Sequence, residues 1–443
     1  MKPQILKGTR DFLPEQIFKR EHIFNVIKTV FKTFGFLPIE TPVMEHLSTL
    51  TGKYGEEGDK LLFKLLNNGD FLAKADQTAL DQKDSKAIIP SISKRGLRYD
   101  LTVPFARFVV MHQNDISFPF KRYQIQPVWR ADRPQKGRYQ EFYQCDVDVV
   151  GSSSLLYEAE LLQIYDEVFK ALGIKATIRV NNRKILQGIA EDAGISDRWM
   201  EMTIAIDKLD KIGKDGVQNE LLNKGFSSES VSKIFSSIEV KTLDSLELKS
   251  EIGQLGITEL NKTYEFLGDH NFHNTVIFDP TLARGLGYYT GFIVEVLADD
   301  VKMGSIGGGG RYDDLTASFG MKDMSGVGIS FGAERIYDVM EELDLFPKNT
   351  NLATQLILLS FDDESLMHAN QLGSKFRRAN ITTEVYPSAA KMKKQMKYAN
   401  DRKIPFVIVV GSNEIESQQY GLKNMDSGDS STLSLDQIIE KLS

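Results

Sequence analysis

Residues 139–151 (YQEFYQCDVDVVG) read as a strand, and alternation along a strand sends Arg138, Gln140, Phe142, Gln144, Asp146 and Asp148 to one face. That face carries a cation, an aromatic ring, amides and two carboxylates. The opposite face, with Tyr143, Cys145, Val147 and Val149, is core-like. A binding site laid on a sheet whose far side is buried has this polarity. So does a half-exposed strand with solvated charges, and on this segment alone the two readings weigh about equally.

Other candidate chemistry is thinner. No G-x-x-x-x-G-K-[ST] run occurs, which argues against a P-loop. The K-M-x-K echo at Lys391–Lys394 has no H-x-G-H companion and does not point to a class I synthetase. Met303–Gly310 (MGSIGGGG) lacks the strand–helix spacing of a dinucleotide fingerprint, so it reads as a turn or a close backbone approach at least as readily as a nucleotide site. Cys145 is the single cysteine; it excludes an internal disulfide and reads as a small core residue. The six histidines show no ligand-like spacing; His270 and His273 are expected in a loop or on the surface, and no metal site is expected.

The elements that must position these groups follow from periodicity. Residues 15–34 repeat apolar side chains at helical spacing and stop before Gly35. In the following FLPIETPVMEH, Pro38 and Pro42 favour extended chain. FKRYQIQPVWR (120–130) has strand character, and the polar RADRPQKGR connection to the next strand predicts an antiparallel hairpin. From about Arg183 to Leu267 short helical patterns dominate, then strand-and-turn texture resumes. One domain over 1–345, interrupted by a helical insertion at about 183–267, accounts for this order. A polar linker follows, and 352–443 alternates β and α as a small α/β domain with mostly parallel strands. The expected fold is thus an α+β domain on an antiparallel sheet flanked by helices, with a helical insertion, plus a C-terminal α/β domain.

Composition sets the outer bounds. At 443 residues the chain is too long for one simple core, and 41% hydrophobic with 26% charged residues is ordinary for a globular protein. The N-terminus has no signal-peptide core, and no run approaches the roughly 20 apolar residues that span a membrane. With one cysteine, these features favour a reducing, cytoplasmic setting. A net charge of −7 argues against coating nucleic acid by bulk electrostatics but leaves room for a local basic path.

Five segments, in order, carry a resemblance. VWRADRPQKGRYQEFYQCDVDVVG is similar to motif 2 of class II aminoacyl-tRNA synthetases in its histidyl form. FGFLPIETPVMEH resembles motif 1, with Pro42 at the motif proline, and GVGISFGAERI resembles motif 3, with Arg335 at the motif arginine. LRYDLTVPFAR (97–107) and LARGLGYYTG (282–291) resemble segments peculiar to the histidyl-tRNA synthetase family, and KGTRDFLP also fits. The likeness covers most of 1–345 outside the helical stretch and is looser in 352–443.

The resemblance implies a two-step reaction in which L-histidine and ATP, accompanied by Mg²⁺, form histidyl-adenylate and pyrophosphate, and the histidyl group then passes to the 3′ end of tRNA(His). It assigns Arg130 and Arg284 to the α-phosphate and Arg335 to the far phosphates. Phe142 and Asp132 would face adenine. Asp100, Thr102 and Gln144 would hold the backbone end of histidine, while Asp148, Tyr288 and Tyr289 would shape the imidazole pocket. Arg133 and Gln135 in the hairpin loop would touch the tRNA end, and the 352–443 domain would bind the anticodon, with the Lys391–Lys397 cluster a candidate for phosphate contact. The helical stretch would clamp the acceptor stem, and motif 1 implies a homodimer. One departure stands out: Gly287 occupies a position where the family usually has Asp or Asn before the tyrosine pair. Two alternatives remain at this point, a non-catalytic synthetase-like regulator and a class II synthetase for another amino acid.

Overall fold

The computed structural model describes residues 2–51, 60–135, 137–283, 288–347 and 354–443. Its main sheet has eight strands. In chain order they are β1 (Leu37–Pro38), β5 (Phe120–Trp129), β6 (Glu141–Val150), β7 (Ala176–Asn182), β8 (Thr275–Phe278), β9 (Phe292–Ala298), β10 (Gly307–Tyr312) and β11 (Gly326–Gly332). A small second sheet holds β2 (Met44–His46), β3 (Lys64–Leu65) and β4 (Arg95–Leu97).

The spatial order of the main sheet is β1-β5-β6-β11-β10-β9-β7-β8. The expected antiparallel sheet is found from β5 to β7, but both edges, β1 on β5 and β8 on β7, are parallel, so the sheet is mixed. The β5–β6 hairpin runs in register from Phe120 opposite Val150 to Trp129 opposite Glu141.

One face of β6 does enter the core, as alternation requires. Cys145, Val147 and Val149 are at most 1% exposed and belong to the same apolar cluster as Ile23, Ile27 and Phe31 of the helix Pro14–Thr33 and Tyr165, Val168 and Phe169 of the helix Leu156–Leu172. Glu334, opening the helix Ala333–Glu342, fixes the first helix to this sheet. It accepts from Arg20 at 2.8 Å and from the amide of Tyr143 at 3.1 Å.

Between β7 and β8 lie five α-helices, from Arg183–Asp192 to Glu251–Leu267. Asn182 ends β7 and caps the first of them by accepting from the Lys184 amide. Their apolar side chains, Ile185, Leu186, Val217 and Phe235 among them, continue the main core without a break.

The chain forms two compact units, residues 1–346 and 347–443. The second unit carries a sheet ordered β13-β12-β14-β15-β16, with β12 Leu356–Ser360, β13 Thr383–Val385, β14 Phe406–Val410, β15 Gln419–Asn424 and β16 Ser430–Ser434. The first three strands are parallel as the alternation of β and α suggests; β15 and β16 add an antiparallel hairpin that the sequence did not signal. QYGLKN and SSTLS are too polar to announce themselves as strands.

Candidate functional site

The polar face of β6 opens onto a cavity of about 150 Å³, lined by Asp100, Thr102, Arg130, Gln144, Asp146, Asp148, Tyr288, Tyr289, Gly308, Tyr312, Gly328, Ile329 and Ser330. That volume suits a small metabolite. Seven residues singled out from the sequence therefore meet around one space, drawn from β6, from the turn before the helix Thr102–Met111, from the end of β5 and from the segment leading into β9.

Two same-face side chains of β6 share a property. Gln144 Oε1 and Asp146 Oδ1 are buried acceptors with no hydrogen-bond partner among the described residues. Gln144 donates to Ser330 Oγ at 3.1 Å, and Ser330 stands directly opposite Asp146 in the β6–β11 pairing. Asp148 accepts from Tyr312 at 2.6 Å and forms an ion pair with Arg122, Nη2 to Oδ2 2.8 Å.

Two glycines make room for this arrangement. A Cβ on Gly328 would lie 1.9 Å from Asp148 Oδ1, so only glycine lets that carboxylate rest on β11. A Cβ on Gly309 would meet the Gly328 carbonyl at 2.2 Å. Gly307–Gly310 of the Gly-rich run thus belong to a central strand with close backbone approach, and Gly308 also lines the cavity.

Electrostatics follow from enclosure. Burial, opposed by Arg122 and reinforced by Asp148, lifts the Asp146 carboxyl to about 7. Burial also raises Asp148, against the pull of Arg122 and of the Tyr312 hydroxyl. The Tyr288 and Tyr289 hydroxyls, 3.4 Å apart, are both raised by burial and remain protonated donors at neutral pH. Asp100 is 2% exposed and accepts from the Val103 amide at 3.3 Å, at the start of its helix.

Arg130 lines the cavity, whereas the other described sequence candidates, Asp132, Arg133, Gln135, Phe142 and Arg335, are not part of its lining. Arg130 reaches the cavity while its Nε donates to the Tyr99 carbonyl at 2.9 Å, and its guanidinium stands 5.1 Å from the centre of the Phe142 ring. Asp132 is half-buried, and its carbonyl accepts from Gln140 at 3.1 Å. Arg133 and Gln135 are exposed in the hairpin loop, as loop contacts to a large partner would require. Arg335 donates to the carbonyls of Gly137 at 2.8 Å and Ser305 at 2.6 Å, tying the loop to the approach of β10. Arg284 and Gly287 lie outside the described residues.

Four residues of this site had no role from sequence reasoning: Arg122, Asp146, Tyr312 and Ser330. Asp146 was visible on the right face, and Arg122 follows from hairpin register, being directly opposite Asp148. Tyr312 has no local signal, because its partner is 164 residues away.

Away from the cavity, Asp166, Glu167 and His270 hold ligand-capable atoms within 4.8 Å of one another, a grouping that histidine spacing could not reveal. Asp166 already accepts from the amides of His273 at 3.0 Å and Asn274 at 2.7 Å and from the Asn274 side chain at 2.8 Å. It therefore works as a clasp on the loop before β8.

Comparison with known proteins agrees over the whole length. The histidyl-tRNA synthetase family model matches residues 8–79 and 70–336, and an anticodon-binding-domain model matches 347–443. A histidine–tRNA ligase of Christiangramia forsetii is 54% identical, with 98% of this chain and 97% of the relative covered. Another from Porphyromonas gingivalis is 55% identical, with 98% of each covered. The crystal structure of histidyl-tRNA synthetase from Nostoc sp. PCC 7120 superposes with a TM-score of 0.83 at 28% identity, covering 100% of this chain and 99% of that one.

Proposed function

Because the chain belongs to the histidyl-tRNA synthetase family, whose curated relatives are histidine–tRNA ligases, we propose that the β6 cavity binds histidine and that the arginines around it steer ATP. The chain is an ATP-dependent aminoacyl-tRNA ligase; the division of labour among its residues is our reading. One observation carries it: two buried acceptors on the cavity face of β6, Gln144 Oε1 and Asp146 Oδ1, have no hydrogen-bond partner among the described residues. Leaving such an acceptor unmet costs about 1–3 kcal/mol each. Histidine brings an ammonium group and a ring N–H, donors of the kind these acceptors lack.

In this reading Gln144, with Asp100 and Thr102, holds the ammonium end, and Asp148 takes the imidazole. The Tyr288 and Tyr289 rings close the pocket wall. The substrate carboxylate then points toward Arg130, which lines the same cavity. Attack of that carboxylate on the α-phosphate of ATP forms the mixed anhydride and breaks the bond to pyrophosphate. Negative charge grows there, and preorganised guanidinium groups aimed at it lower the barrier. Arg130 is one such group, and Arg284 is assigned as the second on its motif alone. Arg335 is assigned to the far phosphates, Phe142 and Asp132 to adenine. Mg²⁺ enters with ATP as the counter-ion of its phosphates. In the second step the terminal ribose hydroxyl of tRNA takes the histidyl group and AMP leaves; Arg133 and Gln135 stand in the loop where a tRNA end would approach.

The anticodon-binding unit supports tRNA recognition, and we assign phosphate contact to Lys391, Lys393, Lys394 and Lys397. Residues 183–267 are proposed as an inserted module that clamps the acceptor stem. A cytoplasmic homodimer completes the proposal, and light scattering at micromolar concentration reads its mass. No helix among the described residues is long and apolar enough to cross a membrane.

The deciding experiment is an amino-acid screen of ATP–pyrophosphate exchange. Exchange with histidine alone is expected, and Arg130→Ala or Arg284→Ala should each slow it at least about 10²-fold, the usual scale for one preorganised donor. No histidine-dependent exchange beside an active control enzyme would refute the assignment of the pocket.

A further inference from the structure

Asp146 lies between Gln144 and Asp148 on the cavity face of β6, and no role above uses it. It is 3% exposed and lines the cavity. Its cross-strand neighbours are Gln124 on β5 and Ser330 on β11. Its Oδ1 has no hydrogen-bond partner among the described residues. A carboxyl kept only for structure would be expected to have both oxygens satisfied, since orphaned buried polar atoms are rare and costly. Asp148 offers the contrast, with Arg122 supplying counter-charge and Tyr312 a hydrogen bond.

The two ends of the strand differ in enclosure. Gln144 is half-buried, whereas Asp146 and Asp148 are 3% and 2% exposed. Along β6, Asp146 therefore shares the more enclosed stretch with Asp148, whereas Gln144, on the more open stretch, is the β6 residue assigned to the ammonium. An imidazole carries its two nitrogens on different edges, so a single carboxylate can bond only one of them well. We propose that Asp146 is a second ring-recognising residue, its free Oδ1 bonding one imidazole nitrogen while Asp148 bonds the other. This rests on the assignment of Asp148 to the ring made above.

The surroundings suit that task. Facing Asp146 are the cations Arg122 and Arg98, the carboxylates Asp148 and Asp100, and the phenols Tyr289 and Tyr165. The balance leaves its carboxyl near 7, close to the roughly 6.5 of an ordinary imidazole. Ionised, Asp146 accepts from a ring N–H; protonated, it donates to a bare ring nitrogen. Either way one proton lies between the two groups, and the bond survives a change in which of them owns it.

The test is steady-state pyrophosphate exchange with wild type, Asp146→Asn and Asp146→Ala, using histidine and histidine methylated on either ring nitrogen. Loss of a hydrogen bond to a charged group corresponds to about 10–100-fold. Histidine KM should rise by that factor in Asp146→Ala and by less in Asp146→Asn, whose amide can still accept from or donate to a ring nitrogen, with kcat and the KM for ATP within about 3-fold in both. The penalty that wild type imposes on one methyl isomer should shrink by a similar factor in Asp146→Ala, an effect that loosened packing alone would not confine to one isomer. Histidine KM in Asp146→Ala within about 3-fold of wild type, or methyl penalties unchanged for both isomers, would overturn the assignment. Wild-type exchange keeps these outcomes separate from failure of the pocket reading itself.

Discussion

Arg122 and Asp148 face each other across β5 and β6 as a buried ion pair, Nη2 to Oδ2 2.8 Å, with side chains 0% and 3% exposed. The guanidinium also stands 4.1 Å from the centre of the Phe105 ring. Taking two charges out of water costs so much that such pairs rarely add net stability. This one makes physical sense as a way to keep a carboxylate charged and aimed at a ligand.

If so, Arg122→Met should strand that charge. Removing one partner of a buried pair typically costs about 3–5 kcal/mol, and the double variant Arg122→Met/Asp148→Asn should recover part of it. Urea unfolding of the three variants measures this. An unfolding midpoint for Arg122→Met equal to wild type would show that the pair does not hold Asp148.

Gly328→Ala is the least intrusive way to move Asp148 without changing its chemistry. The new Cβ would sit 1.9 Å from Asp148 Oδ1, so the carboxylate must swing away or the strands must part. Histidine KM should rise at least about 10-fold, the scale of one lost charged hydrogen bond, with little change in the KM for ATP. Equal effects on both substrates would point to a general distortion of the sheet.

Asp146 also makes a prediction for the unliganded enzyme. Its folded carboxyl titrates near 7, against an ordinary 3.8. The folded state therefore holds a proton that the unfolded state has lost across that window, so stability falls as pH rises through it. Asp146→Asn removes the effect, and should stabilise the protein by about 1–3 kcal/mol at pH 8 and by almost nothing at pH 4. Thermal unfolding across pH tests this; a constant difference at all pH values would contradict it.

How much of this was legible depended on the range of the interaction. The helix Pro14–Thr33, the two-faced character of β6 and the helical run after Arg183 are local periodicities, and the sequence displayed them. The pairing of Arg122 with Asp148 needs the register of a hairpin, which a polar loop of uncertain shape hides. Tyr312 and Ser330 reach the site from β10 and β11, and their relation to β6 exists only once the sheet is assembled. The β15–β16 hairpin failed for another reason: its strands are held by ladder hydrogen bonds with little apolar patterning. Arg284 and Gly287 rest on motif position throughout.

The glycines beneath the cavity have a consequence for how such a site can change. Gly308 and Gly328 line it with backbone alone. At Gly308 an added methyl group would meet nothing closer than the Val294 carbonyl at 3.4 Å, so the floor can be raised there, but it has no side chain left to trim. Shrinking the accepted ligand is then open to a single substitution, whereas enlarging it must proceed through the walls, at Tyr288, Tyr289 or Tyr312, where hydrogen bonds are lost along with bulk. Drift in this pocket is therefore biased toward stricter selection.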